Sequence, residues 1–222
     1  VREAAARLTA MNNMKQIAFA MHAYAEAHNG RLPPAVLRDA QGKPLLSWRV
    51  LILPYLEKES LYQQFHLDEP WDSPQNIALL SSMPRVYFAP TELPVDARAE
   101  LSSTFYQVFT GEETAFEYPQ GLRFPQDFSK GTSNVFLVVE AGQAVPWTKP
   151  SDVFYDDDEP FPLLGGVFTG ESRFSLFGSN RVKGFHAAMA DGSVRFFPST
   201  TSEVTLRDAI TRSEGQRLKS HW

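Results

Sequence analysis

The first thirty residues constrain this chain's fold more than any other stretch. Leu8, Met11, Met14, Ile17, Met21, Tyr24 and His28 recur at steps of three and four, with Arg7, Asn12, Lys15 and Glu26 between them. That spacing predicts one long amphipathic helix over residues 1–30. Gly30 is its natural stop, with Pro33 and Pro34 just beyond. At ~1.5 Å per residue the helix reaches roughly 40 Å, about the width of the domain it must lie on. One apolar stripe requires one buried side, so the rest of the chain has to supply a broad surface for it.

A second apolar run, residues 45–65, reads as a helix that Ser47 caps and Pro54 kinks or divides. Residues 68–74 are turn-rich, and Pro74 suits the first turn of a short helix through Leu80. From Val86 the texture changes. Residues 105–109, 135–139 and 194–197 are β-branched and aromatic and read as strands. Residues 184–190, then Asp191-Gly192, then Val194 spell a hairpin, with Asp-Gly supplying the positive φ angles of a tight turn. Residues 205–211 read as a short last helix, and 145–178 as an ordered surface excursion. Helices first and strands later predict an α+β fold, an antiparallel sheet with the long helix across one face. The expected organisation is one domain over 1–222. Its parts are the helix to residue 30, a helical and loop region over 31–85, and a sheet-rich head with long loop insertions over 86–222.

Composition excludes several functions. With 43% hydrophobic and 13% aromatic residues the chain can bury a proper core, and 17 Phe with 16 Pro favour short strands and pinned loops. The formal charge is −5 and the 21 basic residues are scattered, which argues against a nucleic-acid partner. Without cysteine there are no disulfides, thiolate zinc sites or thiol catalysis. No apolar run reaches the length of a membrane span.

Four groups of residues carry candidate chemistry. Asp152, Asp156, Asp157, Asp158 and Glu159 could offer calcium several oxygen ligands, although their spacing is not that of an EF-hand; the competing reading is a solvated acidic loop. His186 beside Asp191 could be a general base with an orienting carboxylate, against the commoner role of a polar side chain facing its cross-strand neighbour. Trp48, Trp71 and Trp147, with Tyr55 and Tyr62, could form a carbohydrate-binding face, or simply anchor the core. Gly178-Ser179-Asn180 lacks the flanks of a nucleophile elbow, and the glycines at 165, 166 and 170 lack a phosphate-loop context. No catalytic residue is therefore expected, and no cofactor other than calcium.

Several stretches together resemble a known family. They include Met11-Asn12-Asn13-Met14-Lys15-Gln16-Ile17, Leu32-Pro33-Pro34-Ala35, Leu46-Ser47-Trp48-Arg49 through Glu57, Trp71-Asp72-Ser73-Pro74, Val139-Glu140-Ala141, Val145-Pro146-Trp147 and Ala190-Asp191-Gly192-Ser193. In order and nature they resemble the planctomycete family of unknown function labelled DUF1559, many members of which carry a prepilin-type N-terminal segment. The resemblance implies a pilin-like fold and a non-enzymatic, pseudopilin-like structural or adhesive protein of the bacterial cell envelope. It would be extracytoplasmic, anchored by a segment upstream of Val1, with pilin-like subunits or an upstream domain as partners. The alternative is an extracytoplasmic carbohydrate- or calcium-binding module of a larger protein, and a hydrolase comes third. Two features depart from the family pattern, the C-terminal signature and a Cys near the paired asparagines. Its signature places His ten residues before the Asp-Gly, where this chain has Arg181, and His186 stands where the family usually has Asn. Met11 sits at or near a common Cys. The signature's histidine role therefore does not carry over, and a divergent branch is expected.

Overall fold

A computed structural model describes residues 2–88, 102–117, 121–165 and 184–213. The fold is α+β, with helix α1 spanning Arg2–Ala27. Its end follows from the sequence. Asn29 and Gly30 take left-handed φ angles of 55 and 76, and the Gly30 N–H donates back to the Ala25 carbonyl at 2.7 Å.

The buried stripe of α1 keeps the middle of the one its large apolar residues suggest, Met14, Ile17 and Met21, and departs from it at the ends. Ala10, Asn13, Met14, Ile17, Ala18, Met21 and Ala25 face inward. Leu8 is 59% exposed, Phe19 is 62% exposed, and His28 lies on the surface. Short side chains at a contact shorten the distance between packed elements, so alanines let this helix settle closely on what lies beneath it.

Beneath it lies a four-stranded sheet. Between the helix and the sheet in sequence come β1 (Val36–Arg38) and β2 (Pro44–Ser47), an antiparallel pair, then the short helices α2 (Trp48–Leu51), α3 (Glu59–Tyr62) and α4 (Pro74–Ala78). The strands that follow are β3 (Ser103–Gln107), β4 (Phe109–Thr110), β5 (Phe136–Pro146), β6 (Val153–Phe154), β7 (Gly184–Met189) and β8 (Val194–Pro198), and α5 (Glu203–Ile210) comes last. The main sheet runs β3-β5-β7-β8 and is antiparallel throughout. Every residue of β7 is buried, which fits its small and apolar residues, interrupted only by His186. On one face Leu137, Val138 and Ala188 meet Met14, Ile17 and Met21 of α1. On the other, Phe136, Val139 and Phe185 meet Leu206, Ala209 and Ile210 of α5.

Two local expectations are corrected. The run 45–65 is not one helix. Leu45 and Leu46 belong to β2, Ser47 ends the strand and caps α2, and Pro54 opens a 3₁₀ turn, Leu53–Leu56, closed by Glu57 at φ 59. The β7–β8 hairpin forms as expected, with a turn that closes around Ala190, Asp191 and Gly192. Met189 N–H donates to Ser193 O at 2.7 Å, Gly192 N–H to Met189 O at 2.9 Å, and of Asp191 and Gly192 only Gly192 has positive φ. Lastly, β4 and β6 pair in parallel. Gly111 makes room for this small sheet, since a Cβ there would stand 2.3 Å from the Tyr155 carbonyl oxygen. Part of the excursion over 145–178 is thus paired structure, and residues 166–178 lie outside the described ones.

Candidate functional site

The site grows out of Ser47-Trp48-Arg49. Ser47 is the N-cap of α2, and its Oγ accepts from the Arg49 N–H at 3.3 Å and from Arg49 Nη1 at 2.7 Å. The helical turn thereby aims the guanidinium inward. Arg49 Nε donates to the Tyr106 carbonyl at 3.0 Å, and Nη2 donates to Asp152 Oδ1 at 2.6 Å. Tyr87 Oη donates to the Arg49 carbonyl at 2.7 Å. The Arg49 and Asp152 side chains are 0% and 1% exposed, so this ion pair is fully desolvated.

Asp152 Oδ1 is crowded with donors. It also accepts from Trp48 Nε1 at 3.1 Å and from the Val108 N–H at 3.0 Å. Asp152 Oδ2 has no hydrogen-bond partner. Burial holds this carboxyl above the ordinary value of 3.8, opposed by the Arg49 charge and by the Trp48 and Val108 hydrogen bonds. A folded pKa above the unfolded one means that the folded state keeps its proton to higher pH. Stability from this group is therefore fully present below the ordinary Asp range and is lost as pH rises through the folded value. Relative to Asp152→Asn, whose amide does not titrate, the wild-type chain is expected to lose stability from about pH 4 upward. Urea midpoints of the two proteins across the acid and neutral range check this; a difference moving the other way would refute it.

Asp152 also lines a cleft of about 450 Å³, together with Pro34, Arg38, Glu117, Pro150 and Phe154. Phe154 is 66% exposed, and Glu117 pairs with Arg212 at 2.6 Å.

The acidic run is divided by this arrangement. Asp152, expected among the calcium ligands, is instead the buried partner of Arg49, drawn in because that guanidinium needs a counter-charge. Asp156, Asp157, Asp158 and Glu159 stay exposed. Their loop already holds a cation, the Arg207 guanidinium of α5. Nη2 donates to the Glu159 carbonyl at 2.9 Å and Nη1 to the Asp157 carbonyl at 3.3 Å, while the guanidinium lies over the Tyr155 and Phe161 rings at 5.6 and 5.7 Å. Among the described residues no three His, Cys, Asp or Glu side chains come together to hold a metal. Arg207→Ala is expected to cost about 1 kcal/mol by releasing the loop from α5, measured as a shifted urea midpoint.

The tryptophans do not share a surface. Trp48 and Trp147 are fully buried in the α1-side core, and half-buried Trp71 carries the Lys149 ammonium 5.5 Å from its ring centre. Tyr55 and Tyr62 pack at the C-terminal end of α1, where Tyr24 stacks on His28 at 3.8 Å. His186 does not pair with Asp191 as a base with its orienting carboxylate. Its Nδ1 lies 3.1 Å from Glu140 Oε2, which also accepts the His186 N–H at 2.7 Å, and both side chains are buried. Asp191 instead accepts from the Ser193 N–H within the hairpin turn. Glu140 was missed because only sheet pairing brings strands β5 and β7 together. Its signal was an acid inside the apolar run 135–141. Gly166, Gly170, Gly178-Ser179-Asn180, Arg181 and His221 lie outside the described residues.

With the geometry in place, comparison with known families is decisive on one point. The sequence model of a family of proteins of unknown function, DUF1559, matches residues 1–159. The chain belongs to the DUF1559 family. Neither curated proteins nor solved structures yield a match. The DUF1559 match takes in Ser47, Trp48, Arg49 and Asp152, so the buried ion pair lies wholly within it.

Proposed function

We propose that this DUF1559 chain is a non-enzymatic, pseudopilin-like structural or adhesive protein of the bacterial cell envelope. It works outside the cytoplasm, held there by a segment upstream of residue 1, with other envelope subunits or an upstream domain as partners. The observation that carries this reading is α1, a 26-residue helix laid along one face of a four-stranded antiparallel sheet. A long helix lying on an antiparallel sheet supports this reading, because a pilin-like head needs such a surface to hold its helix. The outward side of α1 bears Leu8 and Phe19 at 59% and 62% exposure, a surface on which a neighbouring subunit could pack.

The non-enzymatic part is supported by how the polar side chains are used. The one buried His–carboxylate pair among the described residues, His186 with Glu140, is closed off from solvent at 2% and 0% exposure. A general base must reach a substrate proton within hydrogen-bonding distance, and this geometry offers no such approach.

The test is fractionation of cells producing the full-length protein, with protease applied to intact cells. The expected result is protein in the envelope fraction that external or periplasmic protease cleaves. Recovery solely from the cytosol overturns the reading. Because the chain lacks cysteine, Phe19→Cys adds a single thiol on the outer face of α1. Thiol-specific cross-linking in intact cells is expected to trap this position against a partner.

A further inference from the structure

We propose that the outer edge of β8 takes up an extended strand of a partner protein, one that sets an aspartate or glutamate opposite Arg195. This goes beyond the envelope reading and does not depend on it, because it rests on the edge alone.

The sheet order makes β3 and β8 the two edges of the main sheet. The chain itself closes the edge at β3. The Tyr106 carbonyl accepts from Arg49 Nε at 3.0 Å, and the Tyr106 N–H donates to Thr104 Oγ1 at 3.1 Å. The edge at β8 is open. Backbone groups alternate in direction along a strand. Met189 N–H donates across the hairpin to Ser193 O, whereas His186 N–H and Ala190 N–H point the other way, to Glu140 Oε2 and Val135 O. With Ala187 opposite Arg195 and Phe185 opposite Phe197, these two β8 residues bond to β7. Val194 and Phe196 therefore turn their N–H and C=O groups outward. Among the described residues no hydrogen bond reaches any of these four groups.

A strand laid antiparallel on this edge exchanges both bonds with Val194 and both with Phe196. Its residue between those pairs faces Arg195 at a non-hydrogen-bonded position, where the side chains of paired strands come closest. Arg195 is exposed and forms no salt bridge among the described residues, although Asp191 is near enough to feel its charge. A second copy of β8 suits this edge poorly. The antiparallel self-register that satisfies all four groups sets Arg195 against its own counterpart. A shift to one side brings in Pro198, which has no N–H, and a shift to the other brings in Gly192, whose N–H already donates to Met189 O. The charge that repels a copy attracts a carboxylate. Arg7 holds its guanidinium 4.9 Å over the Phe196 ring, a further cation at the same edge. The side chains of Val194 and Phe196 are half-buried, which favours apolar residues on either side of the partner's acid.

The experiment is an amide NMR titration of the intact chain with three blocked five-residue peptides. The first runs threonine, valine, glutamate, valine, threonine. The second has lysine in place of the glutamate, and the third is the first with both valines N-methylated. The glutamate peptide is expected to shift the Val194 and Phe196 amide signals saturably, with a Kd in the millimolar range. The lysine peptide is expected to bind about fivefold more weakly, the difference between an attractive and a repulsive cross-strand pair. N-methylation removes the two amide protons that pair with the edge and is expected to abolish binding. In Arg195→Glu the order of the first two peptides is expected to reverse. Arg195 is exposed, so this variant is expected to keep the wild-type unfolding midpoint, which separates altered pairing from lost fold. No saturable shift at Val194 and Phe196 overturns the proposal and leaves Arg195 and Pro198 as guards of a bare edge. Equal binding of the N-methylated peptide, or an unchanged order in Arg195→Glu, overturns it as well.

Discussion

Arg49→Met is expected to destabilise the chain by about 3–5 kcal/mol, because it strips the counter-charge from a carboxylate that water cannot reach. For a chain of this length that corresponds to a fall in melting temperature of roughly 6–20 °C. The contrast with a double variant makes the test specific. In Arg49→Met with Asp152→Asn the buried charge is gone, while the asparagine carbonyl can still accept from Trp48 Nε1 and the Val108 N–H. The double variant is therefore expected to be more stable than Arg49→Met alone, since the main cost lies in the unpaired charge and not in lost packing. Thermal and urea unfolding of both proteins check this; additive losses would show that the pair is not coupled.

Trp147→Ala is the second large effect. Trp147 is fully buried, stacked on Tyr87 at 5.8 Å and edge-on to Phe65 at 5.7 Å, with its Nε1 donating to the Leu80 carbonyl at 2.9 Å. Removing it opens a large cavity and leaves that carbonyl without its donor, at a cost of about 3–5 kcal/mol. Trp71→Ala, at a half-buried site against Lys149, is expected to cost about 1 kcal/mol or less. Chemical denaturation of the pair separates a core role from a surface role. Were the tryptophans a shared ligand-binding face, the two variants would show similar, small changes in stability.

These expectations also mark how far the candidate site could be read in advance. Ser47 is identifiable as a cap from its place before an apolar run, because capping depends on neighbours one to three residues away. Asp152 is not, because its partner is about a hundred residues distant and its nearest acids in sequence form a different loop. A cluster of acids looks alike in sequence whether a metal, a guanidinium or water satisfies it. Here Arg207, on a helix some fifty residues further on, supplies the cation. The same holds for His186, whose carboxylate is Glu140 on a neighbouring strand and not Asp191 five residues away.

The helix α1 shows where that boundary falls. The sequence by itself determined that residues near the N-terminus form one long helix, where it stops, and that strands follow it, since three- and four-residue periodicity, Gly30 and β-branched runs act locally. The side carrying Met14, Ile17 and Met21 was legible as well, but where the edges of the buried stripe fall was decided only by the tertiary structure. Leu8 turned outward, and Ala10, Ala18 and Ala25 turned in. The reason is close packing. The sheet face under α1 already carries Leu137, Val138 and Ala188, with Trp48, Tyr87 and Trp147 in the same core, so the helix fits with small side chains at the contact.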